Sequence, residues 1–123
     1  MTTEHIAHRL VELCRQGKYE EAQKELYADD CVSIEPEGMP GGPGTVKGLP
    51  AIYEKGRQFH AMLEEVHGSS VSEPIIAGNW FSIALTLDAT MKGRGRVDMR
   101  EICVYSVHGG KITREQFFFD VGK

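Results

Sequence analysis

The chain has 123 residues, of which 41% are hydrophobic and 26% charged, and its formal net charge is −4 at pH 7. Length and composition suit one globular domain, 1–123, with enough apolar content for a core, and they exclude a disordered chain. No basic run offers a face to phosphates, so nucleic acid is not an expected partner. The longest strongly apolar stretch, Trp80 to Leu87, is far short of the roughly 20 residues of a membrane helix. The start, Met1-Thr2-Thr3-Glu4-His5, lacks the basic and apolar regions of a signal peptide. Three cysteines, Cys14, Cys31 and Cys103, form an odd set with no Cys-x-x-Cys. That pattern suits reduced core thiols and a cytoplasmic location.

In chain order, Ile6, Leu10, Leu13 and Cys14 recur at helical spacing, with Thr3 as the expected N-cap and Gly17 as the left-handed stop. A second short helix is expected over 19–27. Asp29-Asp30 interrupts the pattern, and Cys31 to Glu35 reads as a short strand closed by Pro36. Residues Gly38 to Gly48 hold five glycines and two prolines and read as a loop, either a functional rim or a surface insertion. A third helix opens with Pro50 in its first turn and carries Ile52, Phe59, Leu63 and Val66 on one stripe. Gly56 lies inside it and is destabilising there unless something packs close.

The second half reads as strands over 67–76, 80–91, 97–107 and 112–120. Its turns are Gly78-Asn79, Lys92-Gly93-Arg94-Gly95 and His108-Gly109-Gly110. Helices followed by an antiparallel meander indicate α+β, with helices covering one face of a bent sheet.

Two carboxylates stand out. By period-two counting Glu101 shares a strand face with Val97, Met99, Cys103 and Tyr105, opposite Asp98, Arg100 and Ser106. A carboxyl on an apolar face is hydrogen-bonded, ion-paired or protonated, and desolvation raises its pKa toward neutrality. A bulge, a slipped register, or an ion pair with Arg100 or Arg114 would remove that reading. Glu35 ends the first strand beside the glycine-rich loop, where side chains are displayed to solvent or substrate. The aromatics Phe59, Phe81, Phe117 and Phe119, with Met62, either line a pocket between the third helix and the sheet or form plain core, with Trp80 closing it in the first case. His5 with His8, His60 with Glu64, and Gly93-Arg94-Gly95-Arg96 match no metal or phosphate pattern.

The segment from Leu26 to Gly38, Leu-Tyr-Ala-Asp-Asp-Cys-Val-Ser-Ile-Glu-Pro-Glu-Gly, resembles the Tyr-Ala-Asp-Asp…Pro-x-Gly stretch of SnoaL-like and ketosteroid-isomerase-like proteins. These belong to the nuclear transport factor 2-like superfamily. Val46-Lys47-Gly48, Gly110-Lys111-Ile112 and the order of elements resemble it as well. The resemblance implies a cone: a curved antiparallel sheet packed against three N-terminal helices, a cystatin-like roll. It places Glu35 where the isomerases carry their proton-shuttling aspartate, and Glu101 within one residue of their second acid, with Ile102 as the ungapped alternative. Their oxyanion tyrosine aligns with Leu10 or Val11, neither of which donates a hydrogen bond.

Three readings follow from that resemblance. The first is a cofactor-free acid/base enzyme, an isomerase, cyclase or aldol-type catalyst. It acts on a small hydrophobic cyclic carbonyl compound, with Glu35 as base and Glu101 as acid. The second is a non-catalytic module binding a small hydrophobic ligand, and the third a structural dimer with a filled cone. Relatives of this fold pair through the convex sheet face, so a homodimer is expected. No metal or cofactor is expected.

Overall fold

The structure, a computed structural model, describes residues 1–36 and 44–120. Its elements run α1 (Thr3–Arg15), α2 (Tyr19–Leu26), β1 (Tyr27–Ile34), β2 (Thr45–Lys47), α3 (Leu49–Met62), β3 (Leu63–Val71), β4 (Ile75–Ala77), β5 (Trp80–Met91), β6 (Gly95–His108) and β7 (Lys111–Phe118). The fold is the expected α+β arrangement of three helices on a large curved sheet.

Helix α1 starts one residue earlier than expected. Thr2, not Thr3, is the N-cap, its hydroxyl accepting from the backbone N–H of His5 at 3.1 Å. At the other end Gly17 has φ 75°, and Lys18 N–H reaches the Leu13 carbonyl at 2.9 Å while Gly17 N–H reaches that of Cys14 at 3.0 Å. Those two bonds satisfy carbonyls the last turn would leave open, and only glycine adopts that φ without strain. The expected stripe is buried: Ile6, Leu10, Leu13 and Cys14 are all at most 5% exposed. Helix α1 is tied to α2 by Arg9, which donates two bonds to Glu25 at 2.7 and 3.0 Å.

Helix α3 stops at Met62, so Leu63 and Val66, expected on its stripe, belong to β3. Their three- and four-residue spacing imitates a helix, but β3 pairs with β5 along its whole length, and that ladder wins. Nothing lies within 4 Å of a Cβ built on Gly56, so that glycine lowers helix stability by about 1 kcal/mol relative to alanine without packing in return.

The sheet is ordered β2-β1-β7-β6-β5-β3, with β4 also pairing β5. It is not wholly antiparallel as expected: β1 and β7 run parallel, with Ser33 beside Glu115 and Ile34 beside Gln116. Strand β1 begins at Tyr27, so Asp29 and Asp30 lie inside it, exposed, instead of interrupting it. The loop expected over 38–48 falls partly on 37–43, outside the described residues, and its end is strand β2, paired with β1 from Val32–Lys47 to Ile34–Thr45.

One core joins the helices to the inner sheet face: Ile6, Leu10 and Leu13 of α1, Leu26 of α2, Ile52 of α3, and Phe81, Ile83, Cys103, Tyr105 and Ile112 of the strands. Burying each large aliphatic contributes about 1.5–3 kcal/mol, which holds the helices over that face.

Candidate active site

Strand β6 pairs in register with β5 and β7, Glu101 opposite Leu85, Cys103 opposite Ile83 and Phe117, and Tyr105 opposite Phe81 and Glu115. Phe81 and Tyr105 stack with ring centroids 4.7 Å apart, which fixes their parity as the inner face. Alternation then carries Cys103 and Glu101 inward, and Glu101 is half-buried while Ile102 is 53% exposed on the other side. The acid faces the interior, not the isoleucine.

Among the described residues nothing basic pairs with Glu101. Its one side-chain partner among the described residues is the Cys103 thiol, donating to Oε1 at 3.6 Å. Arg100 is turned outward to Asp98, and Arg114 to Gln116. Burial pushes the Glu101 carboxyl up to about 7; the thiol contact and the Lys55 charge oppose the rise, and the charges of Glu35 and Glu115 add to it.

Glu35 follows β1 directly and is taken by a lysine. The Lys55 ammonium, on α3, donates to Glu35 Oε1 at 2.9 Å and to Ser33 Oγ at 2.5 Å. Both side chains of the ion pair are largely covered, Glu35 at 13% and Lys55 at 19% exposure.

The chain also carries an acid that the sequence reading passed over. Glu115 on β7 is 3% exposed and accepts from the Tyr27 hydroxyl and from Ser33 Oγ, the latter at 2.7 Å. Burial raises its carboxyl above the ordinary range, against the two hydroxyl bonds and Lys55. A signal for it was present: Glu115 has the parity of Phe117, expected to face inward. Tyr27, Ser33 and Lys55 gave no such sign. Together these residues form one connected network, Tyr27 and Ser33 on Glu115, Lys55 on Ser33 and Glu35. No buried side-chain nitrogen or oxygen among the described residues is left without a partner.

The expected pocket residues divide. Phe81 is buried against Tyr105, and Phe117 is half-buried with the Lys55 ammonium 5.0 Å from its ring centre. Phe59 and Met62 continue the α3 stripe that carries Ile52 and Lys55, and stay 42% and 40% exposed at its end. Phe119 is half-buried just beyond β7. Trp80 does not join them: adjacent to inward Phe81, it lies on the outer face at 49% exposure. Leu10 and Val11, where a family tyrosine would align, are 2% and 3% exposed core residues of α1. Among the described residues no three His, Cys, Asp or Glu side chains are grouped to hold a metal ion.

A curved sheet covered on one side by three helices places the fold in the nuclear transport factor 2-like class. Within that class the chain belongs to the SnoaL-like domain family, whose model matches residues 1–119. A candidate SnoaL-like polyketide cyclase of Mesorhizobium loti, also described as a carbohydrate phosphatase, is similar at 37% identity. That match covers 96% of this chain and 99% of the other, with a TM-score of 0.88. A nuclear transport factor 2-like protein of unknown function from Burkholderia pseudomallei shares the fold at 19% identity, covering 98% and 92% of the two chains with a TM-score of 0.79. TerC, co-crystallised with polyporic acid, shares it at 22% identity, covering 97% and 92% with a TM-score of 0.73. No curated protein matches the chain.

Proposed function

We propose that this chain, as one SnoaL-like domain over 1–123, is a cofactor-free acid/base catalyst acting on a small hydrophobic cyclic carbonyl compound. The observation that carries this reading is Glu101: an inward carboxyl with no basic partner among the described residues, pushed up to about 7. Such a group holds a proton near neutrality and donates it to a developing oxyanion. Glu35 is the base. It takes the proton from the carbon next to the carbonyl; the C–H electron pair moves into the enolate, whose oxygen accepts the Glu101 hydrogen bond. Return of the proton to another carbon gives isomerisation; attack of the enolate on a second carbonyl of the same molecule gives ring closure. Phe81 and Phe117 form the apolar wall, and Phe59, Met62 and Phe119 its rim. TerC, similar in fold, was co-crystallised with polyporic acid, in keeping with a ligand-holding cone.

The Lys55 ion pair favours a second reading, binding without turnover, because it occupies the Glu35 carboxylate that would act as base. Solvent exchange separates the two. A cyclic ketone such as 2-tetralone, incubated with the protein in D2O, is expected to exchange its α-protons faster than in buffer. Glu35→Gln lowers that rate by about 10²–10⁴-fold and Glu101→Gln by about 10²–10³-fold. The wild-type rate is expected to fall as pH rises through about 7, where Glu101 loses its proton. Exchange no faster than buffer would leave only the binding reading.

Three buried thiols support a cytoplasmic location, and no helix of the described residues is long and apolar enough to cross a membrane. A cytoplasmic setting requires the thiols to stay reduced in intact cells, and thiol alkylation before lysis tests this. The outer sheet face supports a homodimer: Ile75, Trp80, Ile102 and Phe118 are 75%, 49%, 53% and 49% exposed on it. Sedimentation at twice 13.7 kDa is expected, and a monomer at micromolar concentration would reject the pairing.

A further inference from the structure

Lys55 is where the structure departs from the two-acid scheme. Its ammonium has three N–H donors. One goes to Glu35, one to Ser33, and the third has no acceptor among the described residues. The group stands 5.0 Å from the ring centre of Phe117, at the edge of the apolar wall, and its charge reaches both Glu101 and Glu115.

We propose that Lys55 is a second donor to the ligand's oxygen, so that the site selects compounds presenting an enolate or phenolate oxygen. The inference rests on the acid/base reading and names the ligand class for it. Charge bookkeeping gives the reason. Before proton transfer the Lys55 cation is matched by the Glu35 carboxylate. When Glu35 takes the α-proton, its O–H forms as the C–H breaks, and its negative charge disappears. The same unit of charge arrives on the ligand's oxygen. The ammonium then turns its attraction from a neutral carboxylic acid to the new oxyanion, an interaction stronger in the transition state than in the ground state. No oxidant, reductant or co-reactant is required. The arrangement also supplies the donor that α1 lacks, since Leu10 and Val11 are apolar core. The titratable groups the ammonium's charge reaches are Glu35 after β1, Cys31 on β1, Glu101 on β6 and Glu115 on β7. The carboxyls of Glu101 and Glu115 must stay protonated for an anion to be welcome.

Binding of 2-naphthol tests this, because its ionised form has its own absorption band. At pH 7 free phenols, with a pKa of about 10, are neutral. Wild-type protein is expected to bind the probe with the spectrum of the naphtholate. Lys55→Met is expected to bind it at least tenfold more weakly and only as the neutral form, and Lys55→Arg to restore part of the anionic band. Thermal melts of each variant check folding; if Lys55→Met does not fold, Lys55→Arg against wild type carries the comparison. An anionic band equally strong in the folded Lys55 variants would overturn the Lys55 role, as would binding as neutral naphthol alone in the wild type. Binding that survives in the Lys55 variants but is lost in Glu101→Gln would still uphold the acid/base reading. No binding to wild type would overturn both.

Discussion

The inner face of the sheet carries two raised carboxyls in opposite circumstances. Glu115 lies deep, 3% exposed, with the Tyr27 and Ser33 hydroxyls on its two oxygens. Glu101, toward the other end of the same face, has among the described residues only a thiol at 3.6 Å. Burial dominates both shifts. What separates them is the number of donors: a carboxyl wrapped by hydroxyls is a structural joint between β1 and β7, whereas one left nearly bare can still give its proton away. Desolvation raises a pKa; the open hydrogen-bonding capacity makes it usable.

The largest effect that would sharpen this contrast is expected at Glu115. Glu115→Ala leaves the Tyr27 and Ser33 hydroxyls buried without an acceptor, at about 1–3 kcal/mol each. The melting temperature should fall on the order of 10 °C. Glu115→Gln, which keeps an acceptor, should lose less. Equal melting of Glu115→Ala and wild type would mean the joint holds nothing.

Glu101→Gln should act in the other direction above neutrality. The native carboxyl binds its proton up to about 7, whereas the unfolded one releases it near 4.5. Between those values the native state holds more protons than the unfolded state, so Glu101 removes stability as pH rises through that window. The variant lacks this loss. It should gain on wild type between pH 4.5 and 7, by about 1–2 kcal/mol after discounting for partial solvent contact, readable as diverging denaturant midpoints.

Cys103→Ala gives the smallest effect. The thiol contact holds the Glu101 carboxyl down, so its removal should raise the Glu101 midpoint by a few tenths of a pH unit, as a weak donor allows. A lower midpoint would show that the thiol does not donate.

The long strands β5 and β6 were legible because alternation over a dozen residues leaves little freedom of register, and Gly78-Asn79 and Gly109-Gly110 fix the turns between strands. Glu101's face followed from the same alternation. The parallel pairing of β1 with β7 was not legible: it joins segments some eighty residues apart with no turn to announce it. That pairing brings Ser33 and Tyr27 to Glu115, so the joint was invisible with it. Lys55 was not singled out, because its partners lie on β1 and the residue following it. Trp80 was expected to close the pocket, although its neighbour Phe81 excluded it by parity.

The most direct measurement of the central claim is the titration of the Glu101 carboxyl by carbon-13 NMR, assigned by comparison with Glu101→Gln. A midpoint near 7 is expected, with the resonance moving as the pH passes from about 6 to 8. A midpoint near 4.5 would make Glu101 an ordinary solvated carboxylate, and the proton donor of this site would have to be sought elsewhere.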